Sequence, residues 1–242
     1  MTSPDDQATR RAFVRDLVTA TITMQSDRDR QSLPGPSDLA NPCDLCVARR
    51  IAASFGISLN PESNGSNSFS LKAWVGTSIH QKLERDLPRI YPRGDRMNPN
   101  FYQEVTVTIG EIPGLGNIKG HTDLYLPKVA TVVDWKTSDI KKIKVYQTAG
   151  VPASHAGQTM LYLRGLRNSG KPADTAVLVY IPRDSNRISD IWVASCAYQD
   201  TIATGLLNRA QNLVEVVRSG QTGNLASDPD CYVCHVQHKI RH

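Results

Sequence analysis

The sequence lacks most of what would place it outside the ordinary globular class. No stretch of its 242 residues approaches the roughly 20 consecutive apolar positions of a membrane-spanning helix, so an integral membrane protein is not expected. The opening MTSPDDQATRRAFVRDLV has no apolar run ahead of a small-residue cleavage site, and the chain therefore reads as cytoplasmic, without a secretory leader. No internal repeat is present. Neither sign of charge dominates: 28 Lys and Arg against 23 Asp and Glu leave a net charge of +5 and a pI near 9.0. That balance permits a polyanionic partner without demanding one. With 40% hydrophobic and 21% charged residues the length is ample to bury a core, in one large domain or two small ones.

Cysteine is scarce, but its placement is informative. Four of the five form two Cys-x-x-Cys pairs, Cys43/Cys46 and Cys231/Cys234, at opposite ends of the chain. In a reducing compartment such pairs more often bind metal or do redox chemistry than form structural disulfides. Four thiolates suit either a tetrahedral Zn²⁺ or a [4Fe–4S] cluster, and His235 and His238 are alternative ligands for zinc. Cys196 stands alone and reads as a buried apolar residue after a strand.

Hydrophobic spacing predicts an amphipathic helix from Asp5 to Met24 and a short one from Val47 to Phe55 that stops at Gly56. Residues 58–70 are polar, rich in turn formers and expected to be a surface loop. Leu71 to Leu87 is helical in pattern, with Pro88 expected to close it. Strands are predicted over Phe101–Ile109, Ile118–Leu126 and Ala130–Lys136. A basic stretch, Lys141, Lys142 and Lys144, precedes a helix from Ser154 to Arg167. Asp174–Ile181 reads as a buried central strand, Ile188–Ala194 as a weaker strand, and Thr201–Val217 as an amphipathic helix. The order implies an α/β fold, a mixed sheet flanked by helices. It divides into an N-terminal helical segment with the first cysteine pair (1–70), a core (71–195), and a C-terminal helix with the second pair (196–242), all integrated in one domain.

The chemistry centres on two neighbouring strands. In Val133-Asp134-Trp135-Lys136, alternation puts Asp134 and Lys136 on one face and Trp135 on the other. The preceding strand brings Asp123 to about the same level, and two converging carboxylates repel unless a cation lies between them. Such oxygen-rich sites suit Mg²⁺ or Mn²⁺. His121 shares a face with Asp123 and is either an auxiliary ligand or a polar flank. His80 and Glu84 lie four apart on one helix, Gln158 and Tyr162 four apart on another, so each pair shares a face.

The ordered set His80, Asp123, Asp134-x-Lys136 and Gln158-x-x-x-Tyr162 resembles the PD-(D/E)XK nuclease superfamily. Within it, the set is similar to the RecB-like branch that includes CRISPR-associated (Cas4-type) exonucleases and phage-encoded relatives. The resemblance covers about Leu71 to Ile181. It implies a mixed central sheet flanked by helices and a metal-dependent DNA exonuclease, acting on single strands or ends in recombination, repair or phage DNA metabolism. Residue by residue, it implies that His80, Asp123, Asp134 and the Trp135 carbonyl bind the metal. Lys136 would orient the water or stabilise charge at the phosphate, and Gln158 and Tyr162 would position DNA. Glu84 and Glu104 are weaker candidates for a second metal. An aspartate, Asp134, stands where the family more commonly has glutamate. RecB-like nucleases also imply a [4Fe–4S] cluster on the bracketing cysteines, although their usual arrangement is one N-terminal and three C-terminal cysteines rather than two and two.

No helix-turn-helix or zinc-finger spacing is present to read base sequence, and no Gly-x-x-x-x-Gly-Lys-[Ser/Thr] motif is present to drive unwinding. Unwinding would come from a helicase or recombination partner. The lysines at 141, 142 and 144 suit either a phosphate backbone or plain solvent. Competing readings are a structure-specific or restriction-type endonuclease and a catalytically inactive DNA-binding adaptor.

Overall fold

The computed structural model describes residues 4–23, 33–59, 71–95, 97, 99–225, 227–229, 231 and 234. Most of the polar loop, and both His235 and His238, lie outside the described residues. Helices α1 (Pro4–Thr23), α2 (Pro36–Leu39), α3 (Asp44–Ser54) and α4 (Leu71–Ile90) precede strands β1 (Tyr102–Ile112), β2 (Gly116–Leu126) and β3 (Thr131–Ser138). Then follow α5 (Ile140–Ala149), α6 (Ala153–Asn168), β4 (Thr175–Pro182), β5 (Trp192–Ala197) and α7 (Asp200–Arg218). The five strands form one mixed sheet in sequence order, antiparallel except for the parallel pair β3–β4. A parallel pair needs a long crossover, here supplied by α5 and α6.

Alternation along the strands sorts the core into layers. Val107, Ile109, Tyr125, Val132 and Ala176 pack with Met160, Leu163 and Leu166 of α6, Ile51 of α3 and Val214 of α7 in the largest buried cluster. Phe101, Leu124 and Val133 form a second cluster with Leu87 of α4 and the Trp135 side chain. Ile143 of α5 joins Leu178 and Tyr180 of β4 in a third. Gly165 lets α6 lie directly on the sheet, since a Cβ there would stand 2.7 Å from the Val107 Cβ. No helix among the described residues is long and apolar enough to cross a membrane.

Four expectations are corrected. Pro88 does not close its helix: α4 runs on to Ile90 with the proline inside. Proline removes the N–H that would bond the Glu84 carbonyl, and the Gln103 side chain donates to that carbonyl instead, at 2.7 Å. The basic stretch is itself helical. Of α5 only Ile143 is fully buried, with Tyr146 packed against the same cluster, so its apolar stripe of Ile140, Ile143 and Tyr146 is short and set among lysines. The weak strand begins later than expected, because Ile188–Asp190 forms a 3₁₀ turn and the strand is Trp192–Ala197. Helix α1 has the expected extent, but its Phe13, Leu17 and Val18 are exposed rather than packed.

Candidate active site

The pairing of β2 with β3 is short. Cα partners run only from Leu126–Thr131 to Leu124–Val133; further along, β2 pairs with β1 and β3 with β4. The two strands therefore splay, and Asp123 and Asp134 are the next residues on either side of the split. Where the ladder ends, Asp123 Oδ2 accepts a hydrogen bond from the Trp135 backbone N–H at 2.7 Å. Its Oδ1 lies 3.4 Å from Nδ1 of His80. Helix α4 comes this close because Gly76 sits one turn before His80, where a Cβ would stand 2.8 Å from Thr137 Oγ1.

Asp134 is the deepest group, 2% exposed. Its Oδ2 lies 2.6 Å from Lys136 Nζ, yet it makes no aligned hydrogen bond among the described residues. Lys136 Nζ donates to Gln158 Oε1 at 2.8 Å, and Gln158 Nε2 donates to the Tyr162 hydroxyl at 2.8 Å. The i, i+4 spacing on α6 thus places an amide that accepts from the lysine and a phenol that orients the amide. The structure brings together His80, Asp123, Asp134, Lys136, Gln158 and Tyr162, residues contributed by one helix before the sheet, two strands and one helix after it.

Electrostatics follow from this burial. Removal from water pushes the Asp134 carboxyl up; the Lys136 ammonium opposes the shift and the Asp123 carboxylate adds to it. The hydrogen bond to Asp123 raises His80 against the opposing effect of its burial. Burial, with the charges of Asp134, Asp123 and Glu104, keeps Tyr162 protonated. Two carboxylates in one split, one with a buried oxygen that no aligned donor satisfies, form a donor set suited to a hard divalent cation. Such a cation would offset both the burial and the Asp123 charge that raise Asp134.

The remaining sequence candidates separate. His121 is exposed, with Nδ1 3.2 Å from Thr106 Oγ1, and flanks the site. Glu84 contributes its main-chain carbonyl to Gln103. The Trp135 side chain packs away from the split with Leu124 and Val133. Glu104 adopts a left-handed φ of 50°, a backbone kink on β1 within electrostatic reach of Tyr162. His155 was not anticipated. It lies on α6 one turn before Gln158, with Nδ1 3.0 Å from the Tyr180 hydroxyl. Burial, and then the charge of Lys136, brings its pKa down to about 4, so it stays neutral. Its i, i+3, i+7 spacing with Gln158 and Tyr162 is the signal that puts it on the same helix face.

The four paired cysteines meet at the periphery of the core. All four Sγ atoms lie within 4.8 Å of one another, a group that can hold a metal ion. Burial pushes the Cys43 thiol up, but hydrogen bonds from the Asp228 and Cys46 backbones and from neighbouring thiols outweigh it and bring the thiol to about 7. Burial and the adjacent thiols raise Cys234 to about 11.

No protein-family model matches the sequence, and no curated protein does. Solved structures do. An alkaline exonuclease from Laribacter hongkongensis, LHK-Exo, is 9% identical over 87% of this chain and 96% of its own, with a TM-score of 0.56. The same enzyme in complex with dAMP matches over 78% and 89% at 11% identity and a TM-score of 0.50. The protein SSO0001 is 21% identical over 88% and 87%, with a TM-score of 0.51. At such identities the likeness is one of architecture. Helix α4, the splayed strands β2 and β3, the crossover helix α6 and strand β4 thus share the α/β architecture of the LHK-Exo exonuclease structures, in keeping with the nuclease core expected from the sequence.

Proposed function

We propose that the chain is a Mg²⁺- or Mn²⁺-dependent DNA exonuclease that hydrolyses phosphodiester bonds at single strands or ends. The observation that carries this reading is the convergence of two carboxylates, a lysine and a histidine at one strand split, with Lys136 held by Gln158. In this reading Asp123 and Asp134 hold the cation, with His80 and the Trp135 carbonyl completing the protein ligands. The bound ion would lower the pKa of a water and offset charge growing on the phosphoryl oxygens. Asp123 is preoriented by the Trp135 N–H, so its carboxylate does not have to search for its position. Lys136 presents its ammonium to the scissile phosphate or the attacking water. Gln158 occupies one of the lysine's donors and Tyr162 holds the amide, which restricts Lys136 to a narrow range of rotamers.

The exposed Lys141, Lys142 and Lys144 on α5 directly follow β3 and offer phosphate contacts along the approach to the split. The absence of a base-reading motif from the sequence favours action on ends over action at a defined site. The LHK-Exo neighbours are described as an exonuclease and as its complex with dAMP, in keeping with a nucleotide substrate. Recombination, repair or phage DNA metabolism would supply such ends, with unwinding left to a helicase partner.

The test is digestion of end-labelled linear single- and double-stranded DNA beside circular single strands, with Mg²⁺, Mn²⁺ or EDTA. Wild-type protein should degrade linear DNA only, and only with metal. Lys136→Ala should lose on the order of 10³-fold in cleavage while still binding DNA. Cutting of circles would make the chain an endonuclease, and no cleavage of any substrate would leave the binding adaptor as the better reading. Undiminished cleavage by a pure Lys136→Ala sample would remove Lys136 from the mechanism.

A further inference from the structure

We propose that Cys43, Cys46, Cys231 and Cys234 hold a single tetrahedral Zn²⁺, rather than the [4Fe–4S] cluster that the family resemblance implies. The argument rests on sulfur positions and is independent of the nuclease reading.

The thiols are in contact with one another. Cys46 Sγ lies 3.4 Å from Cys231 Sγ and 3.8 Å from Cys234 Sγ, and Cys43 Sγ lies 3.6 Å from Cys234 Sγ. These separations are far too long for disulfides, and all four cysteines are free. Four thiolates around one zinc, each about 2.3 Å from the ion, stand roughly 3.8 Å apart along the edges of a tetrahedron. Three of the six separations, at 3.4, 3.6 and 3.8 Å, lie close to that edge, and the others stay within 4.8 Å. A cubane is a larger body: its iron ions stand between the centre of the cluster and the thiolates, and its sulfides fill the remaining corners. The cysteine sulfurs that ligate it are therefore held apart from each other, well out of contact. A group in which every sulfur is within 4.8 Å of every other fits a single ion better than a cubane of eight atoms. The two-plus-two layout agrees, since paired Cys-x-x-Cys motifs are a common frame for structural zinc.

The surroundings point to a structural role. Cys43 caps the N-terminus of α3, and Val47, Ala48, Ile51 and Ala52 of that helix are buried. Asp44 is bound by Arg209 Nε of α7 at 2.6 Å. The first pair is thus anchored in the core, whereas the second follows a tail of turns and a short 3₁₀ segment after α7. One ion on these four thiolates ties that tail to α3 across 191 positions of sequence. It also neutralises sulfurs that cannot all ionise at contact distance without a cation.

The experiment uses the full chain, produced in cells supplied with both iron and zinc and purified with and without air. Elemental analysis should find about one zinc per chain and no stoichiometric iron, and the protein should be colourless. Exchange with Co²⁺ should give the visible bands of a tetrahedral tetrathiolate, a readout that needs neither a variant nor DNA cleavage. Cys46→Ser should lower the zinc content and the melting temperature of the chain. Iron with acid-labile sulfide and a brown colour, a single iron without sulfide, or protein that folds with no metal would each overturn the proposal.

Discussion

The strand split and the cysteine group both gather side chains that repel one another, and they hold them together by different means. At the split the repulsion is offset from within the fold: Asp123 has the Trp135 N–H and His80, while Asp134 has Lys136. Its residues sit on paired strands and packed helices. At the cysteine group the thiols have chiefly each other, and the two halves come from opposite ends of the chain. Under the proposed function the split has to exchange water and substrate around its cation, and side chains held by protein partners suit that task. The proposed staple has only to hold two distant ends of the chain together.

The sharpest way to break this contrast is to remove one group from each region. Lys136→Ala is expected to lose on the order of 10³-fold in cleavage in a chain that still folds and keeps the proposed cysteine-bound metal, whereas Cys46→Ser is expected to lose that metal and thermal stability first. If both variants lost metal and fold together, the two regions would not be separable.

A smaller effect probes the wall behind the site. Gly120 packs under Pro36 and the Tyr162 ring; a Cβ there would stand 2.5 Å from the Pro36 Cγ and 3.0 Å from Tyr162 Cε1. Gly120→Ala should destabilise the protein by about 1–3 kcal/mol, read from the urea midpoint, and reduce cleavage by displacing Tyr162. An unchanged midpoint would mean that the segment around Pro36 yields easily.

The third probe is pH. His155 titrates near 6.5 when unfolded and about 4 when folded, because burial and Lys136 resist its charge. A depressed folded pKa contributes stability above the unfolded value that is lost as pH falls from about 6.5 toward 4. Acid unfolding curves should therefore be less steep across that window for His155→Phe than for wild type. Parallel curves would show that His155 does not resist protonation.

The smallest effect is expected at Lys82 and Asp86, an i, i+4 ion pair on the solvent side of α4. Solvent and salt screen such pairs, and Lys82→Ala should leave both the melting temperature and cleavage unchanged. A measurable loss of cleavage would instead make this face of α4 part of the DNA path.

Much of the site was legible because its spacing is local. Asp134-x-Lys136 shares a strand face, and Gln158-x-x-x-Tyr162 shares a helix face, whatever the rest of the chain does. Helix α5 was not read as one, since its short apolar stripe, Ile140, Ile143 and Tyr146, is set among lysines. Pro88 misled because the rule that proline ends a helix assumes an unpaired carbonyl, and the partner of that carbonyl, Gln103, lies on another element. The kink at Glu104 was hidden as well, because nothing in an alternating strand announces a residue with φ of 50°.

The sequence by itself determined which groups could do chemistry: the carboxylates, the lysine, the amide–phenol pair and the four thiols, together with the strands and helices that carry them. Only the tertiary structure decided how deep each group lies and what it meets. The early end of the β2–β3 ladder opens the split, the depth of Asp134 raises its pKa, and Gly76 brings His80 within reach of Asp123. Contacts between the two ends of the chain bring the four cysteine sulfurs into one group. Local periodicity follows from backbone geometry within a few residues, whereas burial and approach distances depend on how distant elements pack.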